Sequence, residues 1–289
     1  MKIVSLLPSA TEILFGIGAG GEVVGVTHEC DYPPDALRLP KLTRAASLNA
    51  STPSEIDRHV RAAVHAGSSL YQLDAALLES LEPDLIVTQE LCAVCAVSYD
   101  IVDRAAKRLR SDPRIVSLEP TSLADVLATI GFLGALTGRA REARRLVANL
   151  DARLAALPNP AARPRTLVLE WTDPPMSAGH WIPEVIERAG GRPILANPGV
   201  NSRRLEWAAI VAADPEAVIV APCGFDLERT KRAVAELEGL ETWKSLSARR
   251  SGRILALDGN AYLSRPGPRL VDSAEIIAQW YTSGAEYAG

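Results

Sequence analysis

The chain has 289 residues, 47% of them hydrophobic and 23% charged, with a formal net charge of -4. These values fit a globular protein with room for two domains and exclude disordered and collagen-like chains. The acidic balance, with no basic block longer than Arg249-Arg250, argues against a nucleic-acid surface and for small-molecule chemistry.

The opening Met1-Lys2-Ile3-Val4-Ser5-Leu6-Leu7-Pro8 has an apolar run too short for a secretion leader, and no stretch approaches the roughly 18 apolar residues of a bilayer span. Both features predict a cytoplasmic protein without membrane insertion, or a periplasmic or extracellular one if a leader was removed. In the cytoplasm thiols stay reduced, so Cys30, Cys92, Cys95 and Cys223 are expected to be metal ligands, redox centres or core residues instead of disulfides.

Strand and helix patterns alternate along the chain. A strand over 2–7 runs into Ser9-Ala10-Thr11-Glu12, read as a capping box, and a helix that ends among the glycines of 16–21. After the Val23-Val24-Gly25-Val26 strand comes the polar loop of His28, Glu29, Cys30, Asp31 and Tyr32. Thr52-Pro53-Ser54-Glu55 starts a second capped helix, with Gly67 as its stop. A short helix from Asp74, a strand over 84–88, a helix after Ser98 and a strand over 114–118 complete the first lobe. Helix formers fill 122–157, broken only by Thr137-Gly138, and the three prolines of 158–164 end them. Alternation then resumes: strand 166–170, helices 183–189 and 205–213, strand 217–220, helix 226–237, strand 253–257 and a final helix over 270–280.

This order predicts an α/β fold of two Rossmann-like lobes with parallel central sheets. The expected domains are an N-terminal α/β lobe at 1–121, one long connecting helix with its linker at 122–160, and a C-terminal α/β lobe at 161–289. Leu81-Glu82-Pro83-Asp84-Leu85-Ile86-Val87 recurs in form as Ala213-Asp214-Pro215-Glu216-Ala217-Val218-Ile219-Val220, an internal echo that leads into a cysteine each time. Loops past the carboxyl ends of parallel strands line ligand crevices, so a cleft between the lobes is the expected site.

Cys92-Ala93-Val94-Cys95 has the spacing of a two-thiolate clip. With Cys30 and Cys223 it would make a four-thiolate site for an iron–sulfur cluster or zinc, while buried cysteines can equally be small hydrophobes. His28 and His180 could ligate a metal or hydrogen-bond a ligand, or be solvated loop residues. Arg265 and Arg269 bracket a Pro-Gly-Pro turn that could aim Arg265 at anionic or carbonyl groups. Gly16, Gly18 and Gly21 match a dinucleotide fingerprint only by accident, because they follow a helix instead of opening one. No phosphate loop, nucleophile elbow or His-Glu-x-x-His helix is present, and Glu170 is the one carboxylate to watch as a buried acid, so an enzyme is the less favoured reading.

Leu7-Pro8-Ser9-Ala10-Thr11-Glu12, Asp31-Tyr32-Pro33-Pro34, the 81–87 phrase, Pro174-Pro175-Met176-Ser177-Ala178-Gly179 and Ser264-Arg265-Pro266-Gly267-Pro268-Arg269 together resemble the helical-backbone metal receptor superfamily. Within it they are most similar to the cobalamin-binding, BtuF-like group. The resemblance implies a rigid connecting helix and a ligand held between aromatic side chains. The matching ligand positions are Pro8, Ser9, His28, Glu29, Tyr32, Trp171, His180, Trp181, Tyr262 and Arg265, with Trp171, Trp181 and Tyr262 as the flat faces. The receptors dock their permease through one glutamate per lobe; Ala76 and Ala208 stand there, with Asp74 and Glu206 offset, which speaks against permease docking.

Three readings follow. One is a cytoplasmic binder of a corrinoid, cobalamin-like, or of a related metal chelate. Another is a four-cysteine iron–sulfur or zinc metalloprotein, with or without redox or enzymatic activity. The third is an ABC-importer receptor whose leader is missing.

Overall fold

Short β-branched runs separated by amphipathic segments leave one arrangement in which each strand buries both faces, a parallel sheet covered by its own crossover helices. The computed structural model describes residues 1–45, 52–65, 70–89, 99–107 and 109–283. They fall into two compact units, Met1–Glu119 with Leu127–Ala148, and Pro120–Val126 with Asn149–Gly289. The α/β class and the parallel sheets read from the sequence are both present.

In the first unit the elements run β1 (Ile3–Ser5), α1 (Pro8–Gly16), β2 (Val23–Val26), β3 (Thr43–Ala45), α2 (Pro53–His65), β4 (Tyr71–Leu73), α3 (Ala75–Leu81), β5 (Leu85–Thr88), α4 (Tyr99–Ala106) and β6 (Arg114–Ser117). The main sheet has the order β2-β1-β5-β6, parallel throughout, while β3 and β4 form a small antiparallel pair that sequence reading did not find. Val4, Leu6, Leu42, Leu78, Ile86 and Val102 pack as its core. Thr52 and Glu55 form the expected reciprocal capping box: the Glu55 amide donates to Thr52 Oγ1 at 3.3 Å and the Thr52 amide to Glu55 Oε2 at 3.2 Å. The box read at Ser9 is not one. Helix α1 begins at Pro8 after Leu7, no side chain caps it, and Glu12 is buried in the helix body.

The connecting stretch is two helices, α5 (Leu123–Leu136) and α6 (Ala140–Ala155), and not the one long helix expected. Gly138 has φ +70°, a left-handed conformation that ends α5, and the Arg139 amide closes back on the Gly134 carbonyl. The apolar spacing continues on both sides of that turn, so periodicity alone could not show the break.

The second unit holds β7 (Arg165–Thr172), β8 (Pro175–Ser177), α7 (Ile182–Arg188), β9 (Arg192–Pro193), α8 (Trp207–Ala213), β10 (Ala217–Val220), α9 (Leu227–Leu237), α10 (Glu241–Lys244), α11 (Ser247–Arg250), β11 (Ile254–Ala256) and α12 (Arg269–Ser283). Its sheet runs β11-β10-β7-β8 with β9 also on β7; all pairs are parallel except β7 with β8. Leu167, Leu169, Ile210, Val218, Val220 and Trp243 centre the core. The internal echo is structural. Helices α3 and α8 each follow an acidic N-cap residue, Asp74 and Glu206, end in a left-handed acidic residue, Glu82 (φ 47°) and Asp214 (φ 37°), and lead through proline into β5 and β10.

Tyr281 of α12 ties this helix to the sheet through a 2.7 Å contact between its hydroxyl and Thr166 Oγ1. A side chain on Gly191 would collide with that hydroxyl, so Gly191 keeps the space open. Burial of this end of the ring raises the Tyr281 phenol well above its ordinary range, against smaller lowering effects of Thr166, Arg253 and Arg163. A phenol whose folded pKa exceeds its unfolded value of about 10 stabilises the fold fully below about pH 10 and loses that contribution as pH rises further. The urea midpoint is therefore expected to fall between about pH 9 and about pH 11, and to fall less in Tyr281→Phe. Equal slopes in the two proteins would disprove this.

Candidate functional site

Parallel pairing brings successive strand ends to one edge, so the ends of β1, β2 and β5 and the loops leaving β1 and β2 gather on the first unit's sheet. The Thr27 amide reaches the Ser5 carbonyl at 2.9 Å and the Leu6 amide the Val87 carbonyl at 2.8 Å. Pro8 and Ser9 open α1 there, both buried. Thr11 Oγ1 lies 3.0 Å from Cys30 Sγ and donates to Ser5 Oγ at 2.8 Å, binding the first turns of α1 to the 27–32 loop. Cys30 is thus a buried thiol with a hydroxyl partner, as a small core residue would be.

The 27–32 loop is anchored from β3 and its approach. Lys41 Nζ donates to the carbonyls of Cys30 at 2.9 Å and Ala36 at 3.1 Å. Thr43 Oγ1 accepts the His28 amide at 3.0 Å and contacts His28 Nδ1 and Thr27 Oγ1, each at 2.7 Å. Glu29 is half-buried, with Oε1 3.7 Å from His28 Nε2, and Tyr32 is exposed. Burial chiefly lowers the His28 pKa, Glu29 opposes and Lys41 assists, which keeps the imidazole neutral near pH 7.

In the second unit the loops leaving β7, β10 and β11 share the equivalent edge. Trp171 is half-buried, packs edge-on against Phe225 with ring centroids 5.2 Å apart, and donates its indole N–H to the Asp173 carbonyl at 3.1 Å. The Arg229 guanidinium sits 4.0 Å over the other partner, Phe225. Sequence reading missed both Phe225 and Arg229; the signal was Asp226, the N-cap of α9, which sets Phe225 beside the strand end and Arg229 in the first turn. Cys223 lies exposed in the same loop, its amide donating to the Glu170 carbonyl at 3.2 Å.

The carboxylate of Glu170 ties strands to loops. It accepts the Gly179 amide at 3.1 Å and the Ser202 hydroxyl, which makes it a structural link between β7 and the loops at 179 and 202. His180 adopts φ 50°, sets Nε2 at 2.9 Å from Asn201 Oδ1, and stacks on Trp181 with centroids 5.4 Å apart. Trp181 is only 6% exposed and donates its indole N–H to the Leu263 carbonyl at 2.9 Å, which places it as the peg of the 258–265 loop. Tyr262 is half-buried in that loop, and Arg265 is buried, with Nη2 donating to Asn260 Oδ1 at 2.9 Å.

Cys92 and Cys95 lie outside the described residues, and no group of three or more His, Cys, Asp or Glu among the described residues is arranged to hold a metal. No described helix is long and apolar enough to cross a membrane. Ala76 and Ala208 are exposed in the first turns of α3 and α8. The Asp74 carboxylate accepts the Leu77 amide at 2.9 Å, whereas Glu206 makes no side-chain cap.

The chain is 23% identical over 290 residues to the vitamin B12-binding protein of Vibrio cholerae serotype O1, covering 96% of this chain and 88% of that protein. The periplasmic vitamin B12 binding protein BtuF of Vibrio cholerae has a similar structure, with TM-score 0.64 at 22% identity over 96% of this chain and 95% of that one. The periplasmic heme binding protein HutB of Vibrio cholerae superposes with TM-score 0.74 at 20% identity over 98% and 99% of the two chains. Such identities carry the fold, while the family's sequence pattern carries membership: it matches residues 3–261, and the chain belongs to the periplasmic binding protein family.

Proposed function

We propose that this protein is the substrate-binding component of an ABC importer, and that its cargo is a planar metal chelate of the cobalamin or haem class. What supports the reading is family membership over residues 3–261, together with the aromatic and polar side chains that each unit, taken by itself, carries at its strand ends. His28, Glu29 and Tyr32 on the first edge, and Trp171 and Tyr262 on the second, offer apolar faces with polar rims, while buried Arg265 holds Asn260 of the Tyr262 loop. Pro8 and Ser9 shape the floor of the first edge, and Trp181 with His180 holds the second in form.

This reading is favoured over cytoplasmic storage because the structurally similar B12 and haem binding proteins of Vibrio cholerae are periplasmic. The iron–sulfur or zinc alternative draws no support from Cys30, whose thiol is buried against Thr11.

The test is titration of the purified chain with cyanocobalamin and, separately, ferric haem, followed by tryptophan fluorescence. At least one is expected to bind at micromolar concentration or tighter. Trp171→Ala should weaken that binding about tenfold, because losing a ring stacked on the chelate costs roughly 1.5 kcal/mol. Failure of both chelates to bind would sink the reading.

A further inference from the structure

A helix on a protein surface ordinarily turns charged and polar residues outward, and α5 departs from this. From Val126 to Gly138 the chain carries no charged side chain, and the outer side of α5 is Ala128, Gly131, Phe132 and Ala135, all exposed. Their spacing of three and four keeps them on one face, where Phe132, 43% exposed, is the single large member. At Gly138 the chain turns into α6, and the hairpin is closed so tightly that a Cβ on Gly134 would come within 2.3 Å of Ala143 Cβ. The first turns of α6 then present Arg141, Arg144 and Arg145 on one exposed side, again three and four residues apart. Arg139, at the turn, pairs with Glu22 at 2.9 Å. Arg141, Arg144 and Arg145 have no ion pair or hydrogen bond among the described residues. Between 126 and 148 there are four arginines and one acid, Glu142, in a chain whose net charge is -4. The hairpin residues 128–145 all belong to the first unit.

We infer that this hairpin docks on a lipid bilayer with anionic headgroups, Phe132 entering the boundary between headgroups and acyl chains while Arg141, Arg144 and Arg145 engage lipid phosphates. Charge selects the occupant. A second copy of the chain would set these arginines against their own counterparts, with Glu142 as the one nearby acid to offset them. A protein partner needs pockets and polar anchors to fix its register, and the four outward residues of α5 offer no hydrogen-bonding side chain. A fluid bilayer needs neither, because apolar area and positive charge simply add there. The planar fork of arginine matches phosphate oxygens, and its aliphatic stem can lie along apolar surface. The association is peripheral, since no described helix is long and apolar enough to cross a membrane. It makes no use of the chelate reading, and its test needs no chelate.

The experiment sediments the full chain with vesicles of phosphatidylcholine alone and with vesicles containing about a third phosphatidylglycerol. Binding is expected to the anionic vesicles only, and is expected to fall steeply as salt rises to about 0.5 M. Arg141→Gln, Arg144→Gln and Arg145→Gln combined should lower the partition coefficient about a hundredfold. Phe132→Ser, which changes no charge, should lower it about tenfold. Inorganic phosphate at the same phosphate concentration should not compete, because a lone ion engages no apolar face. Melting temperatures report whether each variant is folded. Equal binding to both vesicles, binding to neither, or unaltered partition in either folded variant overturns the inference. Competition by inorganic phosphate would mean a small-anion site, and a dimer broken by Phe132→Ser in place of vesicle binding would mean that a second copy covers the face; both overturn it too.

Discussion

Trp181→Ala is expected to remove about 3–5 kcal/mol of stability, the range for deleting a large buried aromatic side chain. Three losses combine there. The ring is almost fully buried, so its removal leaves a cavity in the second unit. The Leu263 carbonyl loses the indole N–H at 2.9 Å, and the stacked face of His180 loses its support. Because Leu263 lies between Tyr262 and Arg265, the same change should loosen the loop that carries both. Denaturant unfolding of the variant should show a reduced midpoint at unchanged slope. A loss below about 1 kcal/mol would mean that the ring is not packed as described.

Gly179→Ala is expected to cost about 1–3 kcal/mol or more, although it adds one methyl group. A Cβ at this position would come within 2.5 Å of the Ser202 nitrogen, 2.5 Å of the Val200 oxygen and 2.7 Å of the Asn201 carbonyl carbon. All three are backbone atoms, and the His180 amide bonds the Val200 carbonyl at 2.7 Å, so the two segments cannot part without breaking the turn. The Gly179 amide also supplies one of the bonds that hold Glu170. A melting temperature within about 1 °C of wild type would contradict this close approach, given shifts of roughly 2–4 °C per kcal/mol for chains of this size.

The local grammar of the chain was legible wherever one short segment decided the outcome. Thr52-Pro53-Ser54-Glu55 caps α2 as read, Asp74 and Asp226 cap α3 and α9, and the Ala217–Val220 run is the strand β10 at the expected bounds. The echo of 81–87 in 213–220 was visible because a left-handed acidic residue followed by proline needs only its neighbours to form. Ser9-Ala10-Thr11-Glu12 misled for the opposite reason: the helix starts at Pro8, Glu12 is buried in its body, and the Thr11 hydroxyl engages Ser5, the Leu7 carbonyl and Cys30, of which Ser5 and Cys30 come within reach only in the folded sheet edge.

Sequence by itself thus determined the α/β class and the alternation of most strands and helices along the chain, since hydrophobic period and turn chemistry act over a few residues. Tertiary structure alone decided the roles. It buried Cys30 on Thr11, made Trp181 a peg, turned Glu170 into a hub, and fixed His28 Nδ1 on Thr43, fifteen residues away. Each of those outcomes depends on which distant polar atom or backbone carbonyl comes within hydrogen-bond reach. That distance is set by sheet register and packing, which no local pattern encodes.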